Sequence, residues 1–245
     1  MAPALDIASN LASVRARIDA AARRGGRDGS EVRLIPVSKT VFDGRIAEAA
    51  GAGVRLVGEN KVQEARRKAE LFADLGLDWA MIGHLQSNKV RQVVGSASEL
   101  HSLDRLSLAE ALDRRLQSEG LGLDVFIQVN SSGEASKFGL DPGDVVDFAR
   151  SLDVFQSLQV RGLMTLAVFS SDADSVRTCF GLMADLRDRL QQELPDPERF
   201  SELSMGMSND FEVAVEEGAT TVRVGEAIFG PRGDRPSDYW PGVER

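Results

Sequence analysis

LIPVSKT, residues Leu34 to Thr40, is the stretch from which the rest of this chain can be read. Val32 to Val37 is predicted to be a short strand. Leu34, Ile35 and Val37 are apolar and partly β-branched, which suits a strand covered on both faces. Pro36 cannot donate to a ladder, so it fits where the strand runs beside a single partner, or at a bulge. The strand stops at Ser38-Lys39, and in an α/β fold the carboxyl ends of parallel strands are where ligands bind. Lys39 then has two readings. It is either a solvated strand-end cation, the common state of lysine, or an amine placed to meet an electrophile.

Outward from this strand the chain repeats one unit. An amphipathic helix with Leu11, Val14 and Ile18 on one face precedes it and ends near Gly25-Gly26. After it, Asp43-Gly44 opens a helix closed by Gly51 and Gly53, and Val54–Val57 is a second strand ending in Gly58-Glu59-Asn60. The next helix carries Val62, Ala65, Ala69 and Phe72 on one face and charges on the other. Trp79–Ile82, Glu99–Ser102, Leu123–Val129, Gln159–Met164, Glu202–Ser204 and Thr221–Val224 are the remaining predicted strands. Helices lie between them, including a long one over Asp172–Leu194 stopped by Pro195 and Pro197. Asn209 followed by Glu212 reads as a capping box opening a helix to Gly218. Eight strand-helix units of about thirty residues predict a parallel sheet closed as a single (β/α)8 TIM-type barrel with an extra N-terminal helix. A doubly wound open sheet is the alternative, and the missing Gly-rich fingerprint after the first strand weighs against it. The expected division is one domain over residues 1–230 and a loosely held tail over 231–245, rich in Gly, Pro and charge.

Composition narrows the function. The chain has 245 residues, 42% hydrophobic and 27% charged, with a net charge of −9. That charge argues against nucleic acid or an anionic membrane surface as partner. Cys179 is the single cysteine and the histidines are two, His84 and His101, so neither a disulfide framework nor a Cys/His metal site is expected. Asp6 and Asp19 break up any leader-like N-terminal pattern, and no window is apolar enough to span a bilayer. A reducing, cytoplasmic compartment is the expectation.

The predicted strand ends share one mouth and are polar: Lys39, Asn60, His84, Asn130, Met164-Thr165, Ser208 and Gly225. Gly206-Met207-Ser208-Asn209 opens a helix and Gly225-Glu226-Ala227 opens a second turn beside it. Glycine-containing turns after the last two strands are the usual phosphate position of this fold. Plain helix capping reads equally well, and Glu226 sets an acid beside the anion. A lysine facing a phosphate cradle fits pyridoxal phosphate, with the aldehyde on the amine and the phosphate at the other end. It also fits a Schiff-base aldolase for a sugar phosphate. Arg223, two residues before Gly225, favours the first: a guanidinium against a pyridine nitrogen would keep that nitrogen unprotonated. A structural ion pair is the other reading of Arg223.

VSKT, GEN, IGHLQSNK, HSLDR, RGLMT, SMGMSND and VRVGEAIFG stand in the order and spacing of one known family, from about Asp6 to Gly230. The chain resembles the pyridoxal phosphate homeostasis proteins, the YggS/PROSC family. The resemblance implies an alanine-racemase-type barrel and one pyridoxal 5'-phosphate held as a Schiff base on Lys39. It also implies phosphate contacts at Ser208 and at the Gly225 and Glu226 backbone, with Arg223 near the pyridine nitrogen. A further amide from Met207 and a place for Asn60 near the ring follow from the same likeness. The function implied is binding, buffering and delivery of the cofactor, with pyridoxal-dependent apoenzymes as recipients and no robust turnover. An amino-acid racemase is the alternative. Racemases of this fold take a tyrosine base from an added domain across a dimer; the length leaves no room for one, and the single tyrosine, Tyr239, lies in the tail. A monomer is expected.

Overall fold

Among the described residues every strand pairing is parallel, and helices fill the connections. The structure is a computed structural model and describes residues 6–170 and 172–231. The strands are β1 (Arg33–Pro36), β2 (Leu56–Glu59), β3 (Asp78–Met81), β4 (Glu99–Leu103), β5 (Leu123–Val129), β6 (Leu158–Thr165), β7 (Glu202–Ser204) and β8 (Thr221–Val224). The helices are α1 (Ile7–Arg24), α2 (Asp43–Gly51), α3 (Val62–Leu71), α4 (Val90–Val93), α5 (Leu106–Glu119), α6 (Val145–Ser151), α7 (Ala173–Glu193), α8 (Phe211–Glu216) and α9 (Glu226–Phe229). The ladder runs β1-β8-β7-β6-β5-β4-β3-β2. It is drawn closed at its upper end by a bridge from Val37 to Gly58 and by the Ser38 amide donating to the Gly58 carbonyl at 2.9 Å. This is the (β/α)8 barrel the rhythm predicted.

Pro36 explains why the seam between β1 and β2 has so little ladder. The amides of Arg33 and Val37 donate to Thr220 and Val224 on the β8 side. In a parallel strand successive residues bond to opposite neighbours, so Pro36, one step out of that alternation, turns towards β2, where its missing N–H leaves a gap. Pairing resumes only at Val37 and Ser38, at the carboxyl end.

α1 lies across the outside against α8 and α9. Asp6 caps it through the Ala8 amide, Arg17 forms a two-pronged pair with Glu212, and Asn10 donates to the Ile228 carbonyl at 2.9 Å. Here the capping-box expectation fails. α8 starts at Phe211 with Asp210 as its flanking residue, and Glu212 is drawn outward to Arg17 rather than back to its own helix. The helix after β2 carries one surprise: Lys68, three residues after Ala65 and four before Phe72, is charged yet 1% exposed. The main core lies between sheet and helices, with Ile18, Leu112, Phe180, Leu203 and Phe211 fully or almost fully buried. The tail assigned to 231–245 falls, apart from Pro231, outside the described residues, as does Tyr239.

Candidate functional site at the carboxyl ends of the strands

Lys39 follows β1 by three residues, at the lip where β1 meets β8 and β2. Its backbone is closely held. All three polar groups of Ser38 are engaged: its amide with Gly58, its hydroxyl with Glu59 at 2.8 Å, and its carbonyl with Lys68 Nζ at 2.8 Å. On the other side Thr40 has φ of 63°, a left-handed conformation costly for a β-branched residue, and its hydroxyl donates to the Lys39 carbonyl at 2.6 Å. Gly225 lies against this segment, because a side chain there would bring its Cβ to 3.0 Å from the Val37 carbonyl oxygen.

The loops after β7 and β8 come together as expected. Ser208 Oγ accepts from the Gly225 amide at 3.3 Å, joining them directly. Gly206 turns at φ of 96° with Phe211 and Ala214 packed so closely that a Cβ would lie 2.7 Å from that of Ala214. Among the described residues the backbone amides of Ser208 and Glu226 face no acceptor, which leaves two donors open at this lip. The Met207 amide is different. It donates to Asp210 Oδ1 at 2.5 Å, so a carboxylate already takes the donor that the loop sequence offered there. Burial raises the Asp210 carboxyl above the ordinary carboxylate range, against the pull of the Met207 amide and the charge of Arg223.

Arg223 is buried inside the barrel and makes no ion pair among the described residues, so the ion-pair reading falls. One guanidinium nitrogen donates to Ser204 Oγ at 2.7 Å and another to the Thr165 carbonyl at 2.8 Å. Burial lowers its pKa to about 10, which leaves it a cation at neutral pH. Below it runs a chain of polar groups the sequence reading did not connect. His101 Nδ1 lies 2.8 Å from Ser204 Oγ, and His101 Nε2 lies 2.8 Å from Glu99 Oε2. Arg33 holds Glu99 and reaches Glu202 at 3.2 Å. HSLDR hinted at this, since a strand that buries His101 and Ser102 must give them partners.

Asn60 follows β2, its amide donating to Glu59 Oε2 at 3.2 Å. Its side-chain Oδ1 is buried and finds no hydrogen-bond partner among the described residues, an unfilled acceptor beside the Lys39 strand. Two other strand-end residues serve their loops. Asn130 Nδ2 bonds the Glu134 carbonyl, and His84 is stacked on Phe138 with ring centroids 3.8 Å apart. The structure thus gathers Lys39, Arg223, Ser208, Gly225 and Glu226 along the lip formed by β1, β7 and β8, with Asn60 on the β2 side. An amine, a buried cation, two open amides, a hydroxyl and an unfilled buried acceptor fit a phosphorylated aldehyde with a heteroaromatic ring. A groove of about 900 Å³ at the opposite end of the barrel, lined by Arg15, Asp19, Arg27, Glu31 and Arg33, is mixed in charge and crossed by the Arg27–Glu31 pair.

Residues 9–233 match the alanine racemase N-terminal domain. The chain is 40% identical over 232 residues to the pyridoxal phosphate homeostasis protein of Aquifex aeolicus, covering 93% of this chain and 99% of that one. The structure of PipY from Synechococcus elongatus PCC7942, solved with PLP bound, superposes with a TM-score of 0.81 at 39% identity, over 91% of this chain and 100% of PipY. Alanine racemase of Clostridium difficile 630 shares the fold at 14% identity, with a TM-score of 0.69, over 95% of this chain and 58% of the racemase. With the barrel, the lysine and the paired lip loops in place, these similarities mean that the chain belongs to the pyridoxal phosphate homeostasis protein family.

Proposed function

We propose that this protein binds pyridoxal 5'-phosphate at the strand carboxyl ends, with the aldehyde carbon held as a Schiff base on Lys39, and serves to store and hand on the cofactor in the cytoplasm without robust turnover of its own. The observation that carries this reading is the convergence on one lip of Lys39 after β1 and the joined Ser208–Gly225 loops after β7 and β8. Ser208 and the open amides of Ser208 and Glu226 would hold the phosphate, and Arg223 would face the ring nitrogen. A guanidinium cannot yield its proton there, so it orients the ring without protonating it. Asn60 Oδ1 would accept a hydrogen bond from the ring side. When bound, the cofactor supplies an electrophilic aldehyde and an electron-withdrawing ring.

The carrier role is supported by the homeostasis protein of Aquifex aeolicus, matched over 99% of its length, whereas the racemase is matched over 58%. Recipients would be apoenzymes that use the same cofactor. The working form would be a monomer, and the lone Cys179 suits a reducing compartment. No helix among the described residues is long and apolar enough to cross a membrane.

The test is an absorption spectrum before and after borohydride, with the modified peptide mapped by mass. The expected result is a visible band that reduction removes, leaving a pyridoxyl adduct on Lys39, and no such band in Lys39→Ala. A protein that stays colourless and unlabelled with added pyridoxal phosphate would overturn the reading.

A further inference from the structure

We infer that the buried Lys68–Glu59 pair is a positioning device for the Lys39 amine, resting on the reading of Lys39 as the cofactor-binding residue. Five of the 29 basic side chains in this protein are lysines, so cations are arginine almost everywhere. Lys68 is one of the exceptions, and it lies inside the protein with its partner Glu59, each side chain 1% exposed.

The pair is fully satisfied. The Lys68 ammonium has three protons and three acceptors: the Glu59 carboxylate, the Ser38 carbonyl at 2.8 Å and the Ser38 hydroxyl oxygen at 3.4 Å. Glu59 Oε1 also accepts from the Ser38 hydroxyl, and Oε2 accepts from the Asn60 amide. A guanidinium is a rigid planar fork, while an ammonium can gather three acceptors around one atom. A buried ion pair is a poor source of stability, because desolvating both charges offsets their attraction and apolar residues of the same volume often do as well. Its value here lies in what it touches. One side of the pair fastens Ser38, the residue before Lys39; the other holds the backbone amide of Asn60, on the β2 side of the same mouth.

Thr40 completes the arrangement from the far side. A left-handed β-branched residue persists only where its surroundings over-determine it, and the pinned Ser38 peptide and the Thr40–Lys39 hydrogen bond do so here. Lys39 is thus held between two fixed residues, and its amine leaves the backbone from one position. A preorganised amine reacts without first paying to order its own segment.

The experiment compares the wild type with the double variant Glu59→Gln/Lys68→Met, which replaces the ions by neutral groups of similar size. Ser38→Ala is the second variant; it cuts the hydroxyl link to Glu59 and leaves the ions in place. Each protein is freed of cofactor and mixed with pyridoxal phosphate. The growth of the visible band is timed, and the melting temperature is recorded alongside. Lys39 is also acetylated in the cofactor-free proteins, with its labelling rate read by mass. The expected result is a double variant that melts within a few degrees of wild type, captures the cofactor at least tenfold more slowly and shows an altered Lys39 labelling rate. Ser38→Ala should slow capture about threefold. Wild-type capture and labelling rates in the folded variants would overturn the inference, and if the double variant does not fold, Ser38→Ala decides alone. A wild type that gives no adduct on Lys39 would instead fail the cofactor reading itself.

Discussion

Arg223 and His101 share the Ser204 hydroxyl, with a donor-only guanidinium at one end of the chain and the Glu99 carboxylate at the other. Arg223 can only donate, so Ser204 Oγ accepts from it at 2.7 Å. On the other side of the ring Glu99, a carboxylate held below its ordinary range, can only accept, so His101 carries a proton on Nε2 and donates it at 2.8 Å. In a neutral ring Nδ1 is then an acceptor and takes the Ser204 proton at 2.8 Å, while the same hydroxyl oxygen accepts from Arg223. Burial is what keeps the ring neutral, pulling its pKa down to about 4.

This makes stability fall in acid. Between the ordinary value of 6.5 and about 4, the unfolded chain binds a proton at His101 that the folded protein refuses. Stability from this group is complete above pH 6.5 and is lost as the pH falls through that window, by about 3 kcal/mol in all. Glu99, whose carboxyl the His101 and Arg33 contacts hold below its ordinary 4.5 despite burial, adds to the loss below that pH. Urea unfolding at pH 7, 6 and 5 should show the decline, and His101→Gln should flatten it between pH 6.5 and 5. An unchanged slope in that variant would mean His101 is not its source.

Arg223→Met should destabilise the protein whether or not any ligand is bound. It strips a donor from the Ser204 hydroxyl and from the Thr165 carbonyl, both buried. An unsatisfied buried group costs about 1–3 kcal/mol. For each group left unsatisfied, a drop in melting temperature of about 2–12 °C follows for a domain of this size. Calorimetry on the cofactor-free protein measures it.

Ser208→Ala removes a hydroxyl on the lip and the acceptor of the Gly225 amide. Gly225 is half-exposed to solvent, so its amide can turn to water and the fold should survive. Retention of pyridoxal phosphate should suffer more: one hydrogen bond to a charged group is worth about 1.5–3 kcal/mol, so affinity should fall about tenfold or more. Cofactor content after dialysis is the readout, with circular dichroism as the check on folding.

Gly206→Ala should be the most damaging single change in the lip loops. It forces a left-handed backbone on alanine and drives its methyl against Phe211 and Ala214. Cofactor loss should then come together with a lowered melting temperature, which separates it from Ser208→Ala, where the melting temperature stays.

The barrel itself was legible from one dimension. Eight strand-helix alternations are local patterns, each set by the period of apolar residues in a dozen positions. The place of Lys39 followed, because the end of a strand is also a local property, and so did the glycine turns after β7 and β8. Pro36 was readable for the same reason: a missing donor marks a strand with one bonded side wherever it lies.

The supports of the site were decided only by the tertiary structure. Lys68 has the helical spacing of the apolar face, three after Ala65 and four before Phe72, but its charge reads as exposed; in the structure it reaches Ser38, 30 residues away, where the Glu59 carboxylate pairs with it. Glu212 has the spacing of a capping residue and goes to Arg17 instead, across 195 residues. Met207 offers an amide that Asp210 takes, and His101 meets Ser204 from 103 residues away. Periodicity records which face of an element is apolar. It does not record which polar group on another strand will complete a buried hydrogen bond, since that is set by the closure of the barrel and the distances it imposes.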